Sequence, residues 1–434
     1  MKSDSLKRSL VCALLTGLTM VSISFGQGNS PAERYIVSVT PGSDPAAVAA
    51  VHGLNSRHVF THVLSGFAAQ IPPGRLQALA NDPRVTGIVV DQEIFAIGKP
   101  SPQPPPPASS QTLPAGVQRV RPSSVTQTGL GIGVAIVDTG LDLNHLDLPV
   151  SEVSFVSPGF TYTTSAQDDA GHGTHVGGIV AAKNNTIDVV GVAPGATLYA
   201  VKVLDNAGSG YDSDVISGLD WVAANAAVVS PTIRVVNMSL GRGASANDSA
   251  MRTAIQNVVG AGVSVVVAAG NDANAEVWQM VPAGFPEVIA VASTTAKTGT
   301  SSNTKRAAPI PADTASYFTT DGRYNPVTGV GVAISAPGED QEDIQFPFIN
   351  SLGILSTALG GGTTRMSGTS MAAPHAAGVV ALLLQKYPLL NPADVKARIM
   401  FGDKENIAPL NSTSGSYTFD GEREGILYAP TALY

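Results

Sequence analysis

The stretch Val134-Ala-Ile-Val-Asp-Thr-Gly140 decides the reading of the chain. Four apolar residues in unbroken succession cannot alternate between core and water. They fit a strand covered on both faces, and such strands belong to parallel sheets packed between helices. The run ends on an aspartate and turns on Gly140, which delivers Asp138 to the carboxyl edge of the sheet. That edge is where open α/β sheets build their sites. Working outward, comparable runs stand at Leu198 to Val203, Arg234 to Met238, Val263 to Ala268 and Val288 to Val291, with helical patterns between them. The expectation is an α/β unit whose mostly parallel sheet carries helices on both faces.

Three further motifs fall where elements of such a sheet end. Gly171-His-Gly-Thr-His-Val-Gly-Gly178 leaves room for something to approach His172 and continues as a small-residue helix from Thr174 to Ala182. Val265-Val-Val-Ala-Ala-Gly-Asn271 brings an amide side chain to the end of another buried strand. Met366-Ser-Gly-Thr-Ser-Met-Ala-Ala-Pro-His375 is a tight turn followed by an apolar helix, Ala372 to Leu384, with Ser370 at its start.

Together these residue types specify one reaction. A serine hydroxyl is a weak nucleophile at neutral pH, so it needs a base within hydrogen-bond reach. The base in turn needs an acceptor that fixes its tautomer and stabilises its charged form. Ser370, His172 and Asp138 fill those roles. The oxyanion of the tetrahedral intermediate needs donors, which the Asn271 amide and the Ser370 N–H at a helix N-terminus supply. Taken singly, Asp138 reads as a turn residue and Ser370 as a helix N-cap; the constellation reverses both. His172 and His175 do not read as zinc ligands, since zinc-protease helices carry His-Glu-x-x-His and no glutamate stands between them. His175 and His375 read as structural, and His145 is given no chemistry.

At 434 residues, 44% hydrophobic, 13% charged and with 45 glycines, the chain is long enough for a large core, many tight turns and two folded units. Its net charge of −8 is uneven: the first 110 residues hold 8 Lys+Arg and 6 Asp+Glu of the total 25 and 33, so the remainder, with 17 and 27, is net −10. An acidic body argues against nucleic acid as a partner. The one cysteine, Cys12, lies in a leader-like segment: Lys2, Lys7 and Arg8, an apolar run from Leu10 to Phe25, and small residues Ser24 and Gly26 before a cut at Gln27. Residues 1–26 therefore read as a signal peptide, the run being short for a membrane anchor. No disulfide is available, and the mature protein is expected to be secreted, extracellular and free of membrane. Residues 33–98 read as a small α+β unit with strand-like ends at Tyr35 to Val39 and Thr86 to Val90 and helices at Ala46 to Val51 and Gly74 to Leu79. A proline-rich spacer follows, Lys99-Pro-Ser-Pro-Gln-Pro-Pro-Pro-Pro107, and marks the domain boundary.

Asp-Thr-Gly, His-Gly-Thr-His, Ser-Leu-Gly, Ala-Ala-Gly-Asn and Gly-Thr-Ser-Met-Ala, in that order over residues 111–434, resemble the subtilisin-like serine proteases, the subtilases. The resemblance implies a seven-stranded sheet, hydrolysis of internal peptide bonds through an acyl-serine, and a monomer acting on protein or peptide substrates. It implies that Gly208-Ser-Gly210 and Ser239-Leu240-Gly241 are the edge segments that sandwich the substrate backbone. It makes Ala268, Ala269 and Gly270 a wall of the pocket for the residue before the cut, with an apolar preference there. Two departures disturb that inference: Arg242 stands where a small residue is usual and Asp212 where an aromatic is common, leaving room for a basic or polar preference. The stretch Ala182-Lys-Asn-Asn-Thr-Ile-Asp-Val-Val-Gly191 resembles the family's calcium loop. By resemblance a structural calcium ion is held by the side chains of Gln111, Asp147 and Asn185 and the backbone oxygens of Lys183, Ile187 and Val189. Read without the resemblance, it is an Asn-rich turn.

Residues 27–98 resemble the family's inhibitory propeptide in Tyr35-Ile-Val, Gly66-Phe-Ala-Ala, Leu79, Asp82-Pro-Arg-Val and Val-Val-Asp91, which implies an intramolecular chaperone and inhibitor, joined by the linker 99–110 to the catalytic domain 111–434. Proline resists fitting into a protease groove, so the maturation cut is expected near Ala108 to Ser110. The rival classes are a catalytically silent scaffold that keeps the fold and a processing protease with one substrate. Segments Lys297 to Val330 and Glu339 to Phe348 read as inserts without an assigned role.

Overall fold

The computed structural model describes residues 32–100, 110–305, 307–345, 348–401 and 424–433. The leader 1–26 with Cys12, and residues 101–109 of the proline-rich linker, lie outside the described residues. Seven strands form the central sheet in the spatial order Ile334–Glu339, Ile289–Thr295, Ser264–Ala268, Ile233–Met238, Gly133–Asp138, Thr197–Lys202, Phe155–Val156. Each of its ladders is parallel, so the sheet expected to be mostly parallel is parallel throughout.

The apolar run 134–137 explains why. Val134 and Ile136 join one buried cluster, beneath the helices His172–Ala181 and Thr369–Lys386, whereas Ala135 and Val137 join another, against Asp212–Asn225 and Ser249–Gly260. Successive strand residues point to opposite faces, and a sheet with a helix layer on each face requires both sets to be apolar. In Thr369–Lys386 every residue from Thr369 to Leu384 is buried, as befits a helix that is apolar around its circumference. The chain enters the sheet at Gly133–Asp138, runs to one side, then returns to build the other. Asp138 thus stands where the strand order reverses, the crevice position for ligands in such sheets.

The edge strand Ile334–Glu339 was not legible as one because Ser-Ala-Pro-Gly-Glu interrupts its apolar pattern. Of the two inserts, the second forms a hairpin, Gln341–Gln345 with Phe348–Leu352. The N-terminal unit is an antiparallel sheet in the order Ser56–Phe60, Gly66–Ile71, Glu33–Val39, Val85–Val90, with helices Pro45–Val51 and Pro73–Ala80. Asp44 starts the first helix by accepting from Ala46 N and Ala47 N. Among the described residues no helix is long and apolar enough to cross a membrane.

Candidate active site

Asp138, fully buried, accepts at Oδ1 from Thr139 N at 2.7 Å and lies 2.8 Å from His172 Nδ1. That contact assigns the proton of the neutral ring to Nδ1 and leaves Nε2 as the basic nitrogen. Nε2 has no hydrogen-bond partner among the described residues. Burial alone would make the ring more acidic, but the charge and hydrogen bond of Asp138, with the charge of Asp168, outweigh it and raise its pKa. His172 opens its helix, yet Gly171 before it offers no capping side chain. Asp168 caps that turn instead, accepting from Gly171 N at 2.8 Å, Thr174 N at 2.9 Å and Thr139 Oγ1 at 2.8 Å.

Ser370 is the second residue of its helix, and its Oγ donates to Ser239 O at 3.0 Å. The return bond has a sequence cause. Pro374 has no N–H for the carbonyl four residues earlier, which is that of Ser370, and Ser239 Oγ donates to this carbonyl at 2.8 Å. Asn271 Oδ1 accepts from Thr369 N at 2.9 Å and Thr369 Oγ1 at 3.0 Å, which fixes the amide so that Nδ2 points across the cleft and donates to Ile97 O at 3.2 Å. Gly368, at φ 149°, is the close-approach point: a Cβ there would lie 2.8 Å from both Asn271 Nδ2 and Ile97 O.

The cleft holds a segment of the chain itself. Glu93–Ala96 is an antiparallel strand between the two predicted edge segments: Ser209 faces Phe95 and Gly210 faces Ile94 on one side, while Leu240 faces Ala96 and Gly241 faces Phe95 on the other. Ala96 N donates to Gly208 O at 2.9 Å and Ile97 N to Ser239 O at 3.2 Å. Gly241 is required by this packing, since a Cβ there would stand 2.8 Å from Ile97 Cδ1. Beyond Ile97, the Gly98 backbone lies against His172, where an added Cβ would sit 2.9 Å from Nε2, and Lys99–Pro100 pairs with Met366 and Ser367. The Ile97–Gly98 peptide therefore runs from the Asn271 amide to His172 Nε2, while the Ser370 hydroxyl is turned to Ser239 O. Gly270 N is tied to Thr369 Oγ1 at 3.1 Å, and the side chains of Ala268 and Ala269 are buried in the core on either side of the sheet.

A model of the subtilase family matches residues 129–410. The chain belongs to the subtilase family. An extracellular serine proteinase from Thermus sp. (strain Rt41A) is 36% identical over 82% of this chain and 75% of its own length. Subtilisin E from Bacillus subtilis (strain 168) is 32% identical over 92% and 93%. A crystal structure of a cold-adapted subtilisin-like serine proteinase is 31% identical, covers 73% of this chain and 97% of that one, and superimposes with a TM-score of 0.55. The protein is a serine endopeptidase of subtilisin type.

In this subtilase the predicted calcium loop closes on Gln111. Its Nε2 donates toward four oxygens: Lys183 O at 2.7 Å, Asn185 Oδ1 at 3.0 Å, Ile187 O at 3.1 Å and Val189 O at 3.0 Å. An amide nitrogen has two protons and cannot serve four acceptors at once, whereas a hard cation can. Asp147 is fully buried beside them and its carboxylate accepts from Asn185 Nδ2 and Val189 N. Lys183 Nζ bonds Leu146 O, away from the oxygens. Among the described residues no group of three or more His, Cys, Asp and Glu is arranged to hold a metal; the oxygens around Gln111 Nε2 are three backbone carbonyls and one side-chain amide oxygen.

Sequence reasoning missed Asp168, Thr369 and Lys202. Lys202 is fully buried, with Nζ at 2.6 Å from both Thr139 O and Asp169 Oδ1. An acidic residue just ahead of a helix start, as in Asp168-Asp-Ala-Gly-His172, was the available signal for the first. Arg242 and Asp212, read as separate departures, meet in one ion pair at 2.6 Å, with Asp248 2.8 Å from the same guanidinium.

Proposed function

We propose that this subtilase is exported through the leader 1–26 as a precursor that inhibits and then cuts itself, with Asp138, His172 and Ser370 as its triad. The observation that carries the reading is the substrate-like course of residues 93–98, with Ile97 O on the Asn271 amide and Gly98 against His172 Nε2. A peptide bound by strand addition takes this form. Residues 27–97 are the inhibitor, one residue short of the expected boundary, and 111–434 the catalytic domain. The register argues for Ile97–Gly98 as the bond cut in maturation, in place of a cut near Ala108 to Ser110.

The hydroxyl of Ser370 turns from Ser239 O to His172 Nε2, loses its proton to that nitrogen and attacks the carbonyl carbon of Ile97. The oxyanion is held by Asn271 Nδ2 and the Ser370 N–H. Imidazolium, stabilised by Asp138, then returns the proton to the Gly98 nitrogen as the C–N bond breaks, leaving an acyl-serine. Water, activated by the same ring, releases Ile97 as a carboxylate. Proteins and peptides in trans follow the same course once residues 27–97 have left. His172 must be neutral at the start, and its raised pKa means that hydrolysis falls away as the pH drops.

Calcium fits the carbonyl cluster, with Gln111 turning its amide to present Oε1, joined by Asp147, Asn185, Lys183, Ile187 and Val189. Bound there, calcium supplies positive charge that ties the segment at Gln111 to the loop. The direct test of function is a fluorophosphonate probe on processed protein alongside casein hydrolysis. Modification at Ser370 with loss of casein hydrolysis is expected; a processed protein that digests casein without Ser370 being modified would overturn the assignment, and one that does neither would point to a silent scaffold.

A further inference from the structure

The strand in the cleft buries one side chain completely. Ile94 is 0% exposed while its neighbour Phe95 is 43% exposed. With Ile97 as the residue before the cut, Ile94 is the fourth, and it faces Gly210 on one rim. On the other rim the register Leu240 to Ala96 and Gly241 to Phe95 runs on to set Arg242 opposite Ile94. Residues opposed in an antiparallel pair present their side chains to one face, and Arg242, at 8% exposure, is on the buried side with Ile94.

There the guanidinium is locked. Nε donates to Asp212 Oδ1 at 3.0 Å, one terminal nitrogen to Asp212 Oδ2 at 2.6 Å and Asp248 Oδ1 at 2.8 Å, and the other to Gly243 O at 2.9 Å. Asp212, just past the opposite rim, is 2% exposed, and its own N–H donates to Gln92 O at 2.8 Å. The ion pair therefore joins the two rims at the level of Gln92 to Ile94, and Ile94 shares its buried cluster with Leu204, Leu240, Val215 and Ile216. A bidentate, desolvated pair is rigid. An aromatic ring at this position would have to part Arg242 from Asp212, stranding a buried charge, and a carboxylate would meet two others.

We infer that the Arg242–Asp212 pair is a specificity determinant, restricting the fourth residue before the cut to a branched aliphatic side chain. This rests on the reading of Ile97–Gly98 as the cleaved bond. It accounts for the two departures from the family's pattern as one compensated feature rather than as a basic preference.

The test is a series of quenched peptides Xaa-Phe-Ala-Ile-Gly-Lys with Xaa as Ile, Val, Phe or Asp, assayed on the processed enzyme. Ile and Val are expected to exceed Phe and Asp by on the order of tenfold or more in kcat/KM. The double variant Arg242→Gly with Asp212→Ser removes bulk and both charges together, and is expected to bring Phe to within about threefold of Ile. Arg242→Gln with Asp212→Asn keeps the bulk and should retain the Ile-over-Phe ratio while accepting Asp on the order of tenfold better. A flat wild-type series, or an unchanged Ile-to-Phe ratio in the folded Gly/Ser variant, overturns the inference; the wild-type series alone decides if that variant does not fold. Should the enzyme cut proteins but none of these peptides at Ile-Gly, the cleavage-site reading fails instead.

Discussion

The catalytic body and the N-terminal unit bury apolar surface in different ways. The body's central strands are covered on both faces by its own helices. The N-terminal sheet covers one face itself, with ten buried residues that include Val37, Phe67, Ile71 and Leu79. Ile36, Phe60 and Ala68 of its other face, with Val63 and Leu64 of the turn between two of its strands, belong to the cluster built on the body's helices Asp212–Asn225 and Ser249–Gly260. The docking is specified by polar groups at helix ends and turns. Asp91 accepts from Ser213 N at 2.9 Å and Ser213 Oγ at 2.8 Å at the start of one of those helices, and Arg34 Nε reaches Asp91 at 2.9 Å. Asp220 Oδ1 receives three backbone N–H groups from Thr61, His62 and Val63, at 3.1, 2.7 and 2.9 Å. The difference teaches that the smaller unit is structured as a complement of the larger one, and that parting the two would expose an apolar face.

The largest break in that relation is chemical. Ser370→Ala is expected to lower the hydrolytic rate by on the order of 10⁶-fold, a magnitude measured in subtilisin rather than derived from this site. Peptide turnover by the purified variant checks it. Asn271→Ala removes a side-chain donor to Ile97 O and should cost about 10²–10³ in kcat, a scale also set by subtilisin, with the burst of acylation slowed in step. At the docking surface, Asp220→Ala leaves three N–H groups without their acceptor. At about 1.5–3 kcal/mol for bonds to a charged group, the inhibition constant of the separate 32–97 fragment should rise roughly 10- to 100-fold. Equal inhibition of both enzymes would mean that Asp220 does not help to hold the unit. Chelation sharpens the contrast from the other side. At free calcium about 100 times Kd, the ion stabilises the body by about 2.7 kcal/mol, so EDTA is expected to lower its thermal midpoint by about 5–10 °C. An unchanged midpoint would remove the site at Gln111.

Where local chemistry fixes the structure, the sequence was readable. The apolar run ending at Asp138, the glycines around His172 and the strand that stops at Ala268, three residues before Asn271, each form the element expected of them. Legibility failed where the cause is distant in the chain. Nothing adjacent to Ser239 reveals that its hydroxyl serves the carbonyl freed by Pro374, and nothing near Arg242 announces Asp212, thirty residues away, as its partner. The course of residues 93–97 was hidden for the same reason: Glu-Ile-Phe-Ala alternates like any half-buried strand, and its partners lie more than a hundred positions on. The expectation of a late cut followed from the conspicuous prolines, whereas the register of a plain five-residue segment carries the alternative.

The most direct test is the mass of the two products when wild-type precursor matures in a sealed reaction, with the Ser370→Ala precursor as control. The account predicts a fragment ending at Ile97, a catalytic chain whose first detectable residue is Gly98, and an intact control. A wild-type chain that leaves Ile97–Gly98 whole while becoming fully active, or a control cut at that bond in the absence of any other protease, would contradict it.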